Sequence, residues 1–189
     1  MRTTFQLLFL VLGCSHYSFA WFFPFPKSEP LGGKHLVDAG EALRKAADCF
    51  QQDDDRSFAY PCILREAGDS LKDAGEAWNE NHWEGVAYAV DDCSISFRML
   101  SQLGKSPKMQ KAYRGASGEF KAVAGLADPS QESGPNLMAL ARYLKEVSRE
   151  PLLDGSKRRS KMDVSGISKA LREASNSVQT LGRETTMNQ

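Results

Sequence analysis

Cys49, Cys62 and Cys93 are the most chemically specific residues in the stretch from Leu36 to Leu103. A thiol serves as a nucleophile, a metal ligand or half of a disulfide. The first use needs a depressed pKa and a neighbouring base, and Cys93 follows Asp91-Asp92, whose charges push its pKa up. The second needs partners at ligand spacing. His35 and His82 are far apart, and neither belongs to an HExxH or CxxCH motif. The third fits. Cys49 and Cys62 stand 13 positions apart, at the end of one helical pattern and the start of the next. An antiparallel hairpin brings such positions toward the ~7 Å Cα separation a bridge allows. Closing that loop is worth about 3 kcal/mol on the chain-entropy model. The expectation is a Cys49–Cys62 disulfide with Cys93 as a free, buried thiol, pairings of Cys93 with either of the others being the alternatives.

Carboxylates offer a second chemistry. An enzyme built on this chain would use Asp91, Asp92 or Glu84 with His82, in a pocket where two of them converge. Acids on helices are ordinarily solvated, so this is the alternative reading. Glu80, His82 and Glu84 align as metal ligands only on an extended backbone. Asp53-Asp54-Asp55 lacks the alternating ligands, glycine and terminal glutamate of an EF-hand loop. Gly32-Gly33 has no lysine and serine in Walker spacing, and no GxSxG occurs. No metal or cofactor is expected.

Around these residues the chain reads as helix. Leu36, Gly40, Leu43, Ala47 and Phe50 mark one face from about Lys34 to Gln52, after Gly32-Gly33 breaks the chain. Tyr60-Pro61 opens a second helix, its stripe formed by Leu64, Ala67, Leu71, Ala74 and Trp78. A third carries Trp83, Val86, Val90, Cys93, Phe97 and Leu100 and stops at Gly104. Further helices are expected from Ser106 to about Ala127, weakened by three glycines, from Asn136 to Arg149, and from Asp163 to Leu181. The sequence Leu36-x-Asp-Ala-Gly-Glu-Ala42 recurs as Leu71-x-Asp-Ala-Gly-Glu-Ala77 without a third copy, which points to close helix packing and not to a solenoid.

Residues 1–20 read as a secretory signal: Arg2, a short apolar run from Phe5 to Gly13, and small residues at Ser18 and Ala20. The product would be secreted or extracytoplasmic, where disulfides persist. Val11-Leu12-Gly13-Cys14 is a lipobox-like alternative, and an uncleaved anchor is the other; only these would place the chain on a membrane. Residues 21–33 form an extended aromatic strap, since three prolines in Trp21–Pro30 forbid a helix. The helical domain would span 34–181, with a disordered tail over 182–189. Lys157 to Lys161 is read as a solvated linker.

Cys49, Tyr60-Pro61-Cys62 and Asp92-Cys93 resemble the pattern of the secreted helical-bundle inhibitors of plant invertase and pectin methylesterase. These carry an N-terminal disulfide hairpin and an aspartate-cysteine pair on a later amphipathic helix. The resemblance implies a secreted enzyme inhibitor. In this chain the first spacing is longer, Tyr-Pro touches the cysteine directly, the distance to Cys93 is short, and the family's fourth cysteine is absent.

Together these readings predict an all-α protein, an irregular bundle of five or six helices stapled by one disulfide. With 24 basic and 24 acidic residues in 189, no global field draws the chain to nucleic acid. Its predicted role is binding a protein partner or an apolar small ligand. Trp21, Phe22, Phe23 and Phe25 are the surface candidates, and Trp78, Trp83 and Tyr88 could line an inter-helix pocket.

Overall fold

A computed structural model describes residues 31–50, 59–104, 106–149 and 163–187. The signal sequence, Cys14, the strap with Trp21, Phe22, Phe23 and Phe25, the aspartates at 53–55 and the basic run at 157–161 lie outside the described residues.

Every described element is a helix. In chain order they are α1 (Leu31–Asp48), α2 (Ala59–Asn79), α3 (Trp83–Leu103), α4 (Pro107–Ala124), α5 (Pro129–Glu132), α6 (Gly134–Arg149) and α7 (Val164–Met187). The count is seven where five or six were expected. The addition is α5, a single turn that Pro129 starts and Asp128 caps by accepting from the Ser130 amide at 3.0 Å.

Local chemistry explains most of the boundaries. Ser106 accepts from the Met109 amide at 3.0 Å and Pro107 follows, which starts α4. Between α2 and α3 the turn is made at Asn81, whose φ of 55° is left-handed, and the His82 amide reaches back to the Ala77 carbonyl at 2.8 Å. Asp163 caps α7 through the Gly166 amide, and its own amide donates to the Cys49 carbonyl, tying the start of α7 to the end of α1.

Gly32 and Gly33 do not break the chain, contrary to expectation; α1 runs through them because α2 lies against it. A Cβ on Gly33 would sit 2.2 Å from the Gly75 carbonyl oxygen, and one on Gly40 would sit 2.4 Å from that of Gly68. The reciprocal positions are as tight, at 2.5 Å and 2.7 Å. Only glycine permits two antiparallel backbones to touch at both levels. This accounts for the internal echo. Gly40 and Gly75 are the glycines of its two copies, and Gly33 and Gly68 repeat at the same 35-residue offset. Two copies of one stripe, packed antiparallel, complement each other. The contact buries Ala39, Ala42, Ala46, Ala67 and Ala74, which offsets the roughly 1 kcal/mol of helix propensity lost at each glycine.

Contacts close the main helices into a ring. α1 packs on α2, α2 on α3, α3 on α4, α4 on α6, α6 on α7, and α7 on α1. The short connections from α2 through α6 favour this neighbour-to-neighbour order there. Leucines from α1, α2, α3, α6 and α7, with Met109 and Val123 from α4, line the inside, and an aromatic chain crosses it: Phe50, Tyr60, Tyr113, Phe97 and Phe120, with successive ring centroids 5.0–6.2 Å apart.

Two further expectations are corrected. The tail from 182 is helical to Met187: Gly182 lies against Leu137 and Met138 of α6, and Thr185 is buried with its hydroxyl donating to the Leu181 carbonyl. The Cys49–Cys62 disulfide is absent; Cys49, Cys62 and Cys93 are all free thiols. Cys49 has left α1 and faces Gly166 at the start of α7, whereas Cys62 occupies the first turn of α2. The α1–α2 contact is held by glycine packing instead of a staple.

Candidate functional site

The structure scatters the residues that the sequence offers for chemistry. Cys93 is buried, its Sγ donating to the Ala67 carbonyl at 3.5 Å, and burial, reinforced by Asp92 and Asp73, holds its pKa well above the usual thiol value. Cys49 is also pushed up, by burial and then by Asp163 and Asp48. Neither thiol is set to attack. His82 precedes the first residue of α3, and Asp91 lies nine residues on, about 13 Å along the helix. Asp91 turns toward α4 and pairs with Lys121 at 2.7 Å, while Asp92 is exposed. Those acids do not converge on His82. Among the described residues no group of three histidines, cysteines or acids is placed to hold a metal ion.

The aromatic candidates divide. Trp78 is buried and Trp83 half-buried, and they pack edge to face at 5.6 Å. Gly32 leaves room for the Trp78 ring. These two are core. Tyr88 is separate, 69% exposed on the outer side of α3.

That outer side is the notable surface. Among the described residues five large apolar side chains are exposed, and four belong to α3: Tyr88, Ile95 (53%), Met99 (43%) and Leu103 (41%). Spacings of seven, four and four place them on one helical face, opposite the buried stripe of Val86, Val90, Cys93, Phe97 and Leu100. α3 is therefore apolar on both sides, yet the ring covers only one of them. Singly scattered exposed apolar residues need no explanation, but four aligned on one helix form a patch of the kind that marks an interaction site.

A groove of about 590 Å³ runs beside this ridge, between α3 and α4. Its floor is a seam of small residues. Ser94 Oγ donates to the Ser117 carbonyl at 2.9 Å, and Ser117 Oγ donates to the Ser94 carbonyl at 2.8 Å. The register that pairs Ser94 with Ser117 and Asp91 with Lys121 puts Arg98 level with Arg114. Asp91, Ile95, Arg98 and Gln102 form one wall; Arg114, Gly118 and Lys121 form the other. A Cβ on Gly118 would meet nothing within 4 Å, so this glycine leaves the wall low without serving a packing need. Among the described residues neither Arg98 nor Arg114 has a carboxylate partner. A second depression of about 470 Å³, between α4 and α6, continues the basic surface with Lys108, Lys111 and Arg142 beside Glu146.

Neither the ridge nor this basic face was anticipated from the sequence, although a signal existed. Residues 31–92 contain 14 acidic and 6 basic side chains, whereas 93–149 contain 9 basic and 4 acidic. Overall neutrality averages an acidic stretch from α1 to the middle of α3 against a basic stretch from there through α6. No protein-family model matches this chain, and no curated protein or solved structure matches it either.

Proposed function

We propose that this chain is an exported binding protein without catalytic activity, engaging a protein partner through the outer face of α3. One observation carries the reading: the ring leaves Tyr88, Ile95, Met99 and Leu103 aligned and uncovered on a helix that is otherwise core. Burying a large apolar side chain is worth about 1.5–3 kcal/mol, so a partner covering this ridge has a substantial driving force. A protein suits it better than an apolar small molecule, because the ridge projects and the adjoining groove is open. The enzymatic alternative lacks supporting geometry, since His82 stands at the N-cap of α3 and Asp91 and Asp92 lie more than two turns along it. Inhibition of an enzyme would be one form of such binding. The cysteine hairpin that carried the resemblance to inhibitors is a pair of free thiols.

A photocrosslinking side chain placed at Ile95, and separately at exposed Glu41 on α1, tests this in the native extracellular fluid. The expected result is a discrete, saturable adduct from position 95 that Met99→Glu abolishes, and none from position 41. Equal labelling from both positions, or none from 95, would refute the reading.

A further inference from the structure

We infer that the partner segment is an acidic amphipathic helix, seated along the α3–α4 groove with its apolar stripe on Ile95, Met99 and Leu103 and its carboxylates on Arg98 and Arg114. This rests on the binding reading above and adds the chemistry of the occupant. Three observations point the same way. The first is shape: a groove with a small-residue floor and one low wall at Gly118 accepts the ridge of another helix. The exposed stripe from Tyr88 to Leu103 extends about 22 Å, the length of roughly 15 helical residues. The second is charge. Among the described residues Arg98 and Arg114 stand level across the groove without carboxylate partners, and α4 presents Lys111 and Arg114 outward, with Lys121 paired to Asp91. A guanidinium binds a carboxylate bidentately and gains most where flanking apolar contact excludes water. The third is asymmetry. Asp92, exposed on the ridge between Tyr88 and Ile95, and Asp73 on α2 are both close enough to act on Cys93. A flat anionic surface such as a bilayer would meet these acids as well as the arginines. A rod lying between the ridge and α4 meets Arg98 and Arg114, and the acid that lines the groove, Asp91, is already paired with Lys121.

The same asymmetry disfavours antiparallel pairing with a second copy of the chain. Antiparallel pairing of two α3 ridges about a two-fold axis would set basic α4 beside basic α4, and acidic α2 beside acidic α2.

The test uses the full chain and three synthetic helical peptides of about 18 residues, long enough to span the ridge. One carries an i, i+3, i+4, i+7 leucine stripe flanked by glutamates, the second has lysines for the glutamates, and the third keeps the glutamates but replaces leucine with alanine. Backbone amide NMR titration should show the leucine–glutamate peptide perturbing Ile95, Arg98, Met99, Arg114 and Gly118. It should bind at least tenfold tighter than either control, and weaken as salt is raised. Arg98→Glu, Arg114→Gln and Ile95→Glu should each weaken it at least tenfold, with circular dichroism confirming that the variants fold. If the lysine peptide binds equally and Ile95→Glu still abolishes binding, the interaction face stands and the acidic-partner inference is overturned. Binding to phosphatidylglycerol vesicles but not to the peptide overturns it in favour of a membrane surface. No peptide binding together with no crosslinking from position 95 overturns both readings.

Discussion

Replacing Gly40 by alanine should destabilise the protein, whereas the same change at Gly118 should stabilise it. Both glycines lie inside helices, where alanine gains about 1 kcal/mol of propensity. Their surroundings differ. At position 40 the new methyl would lie 2.4 Å from the Gly68 carbonyl oxygen and 2.9 Å from the Lys72 amide nitrogen, both backbone atoms. Restoring ordinary contact requires α1 and α2 to separate by roughly 1 Å along a seam that touches again at Gly33 and Gly75. Overpacking of this kind costs about 1–3 kcal/mol, and a clash with backbone belongs at the upper end. After the propensity gain, the net loss at Gly40 is about 2 kcal/mol. At position 118 nothing lies within 4 Å, so the gain of about 1 kcal/mol stands alone. For a chain of this size, 1 kcal/mol moves Tm by roughly 2–4 °C. Gly40→Ala should therefore melt about 4–8 °C lower and Gly118→Ala about 2–4 °C higher. Urea unfolding followed by far-ultraviolet circular dichroism measures both. A Gly40→Ala variant as stable as the parent would refute the glycine-to-glycine contact, and with it the explanation of the repeated DAGEA segment.

Three other outcomes follow from the core. Ser94→Ala removes one of two reciprocal bonds joining α3 to α4 and should cost about 1 kcal/mol, measured by the same unfolding assay. Tyr60 and Tyr113 share a hydroxyl hydrogen bond, and burial, with Tyr113 adding to it at Tyr60, raises both phenol pKa values. The unfolded chain then loses the protons of these two phenols near pH 10 while the folded chain keeps them, so stability is unaffected below that pH and falls as pH rises through and above it; tyrosinate at Tyr60 and Tyr113, followed ring by ring by NMR, should appear only together with unfolding, and its appearance at either ring in a still-folded protein near pH 10 would contradict the burial. Iodoacetamide without reductant should leave Cys93 unmodified in the native protein and alkylate Cys49, Cys62 and Cys93 in denaturant, as read by peptide mass mapping; a Cys49–Cys62 peptide surviving as a bridged pair would contradict the free thiols.

The second and third helices were legible because their buried stripes are strong and their ends are punctuated. Pro61 opens one, Asn81 closes it, and Gly104 closes the next. The start of the first helix was misread because Gly32-Gly33 is a breaker by local propensity, and only an approaching α2 backbone makes two glycines useful inside a helix. The disulfide was misread for a related reason: spacing suggests that two cysteines are near in a hairpin, but side-chain direction decides, and Cys49 turns toward α7. The exposed ridge was hidden by its own helix. A period of 3.6 draws attention to the buried stripe of α3, so Tyr88, Ile95, Met99 and Leu103 read as general apolar content until the ring showed which side is covered. Charge segregation went unseen because the two halves cancel.

The claim that the outer face of α3 serves partners and not the fold is tested most directly by the double variant Ile95→Glu, Met99→Glu. Both side chains are exposed, and surface substitutions away from structural features usually stay within about 0.5 kcal/mol. Urea unfolding should therefore give the parent's stability within that margin, while capture of the partner identified by crosslinking from position 95 is lost. A variant that unfolds more readily by several kcal/mol, or one that keeps full binding, would contradict the account.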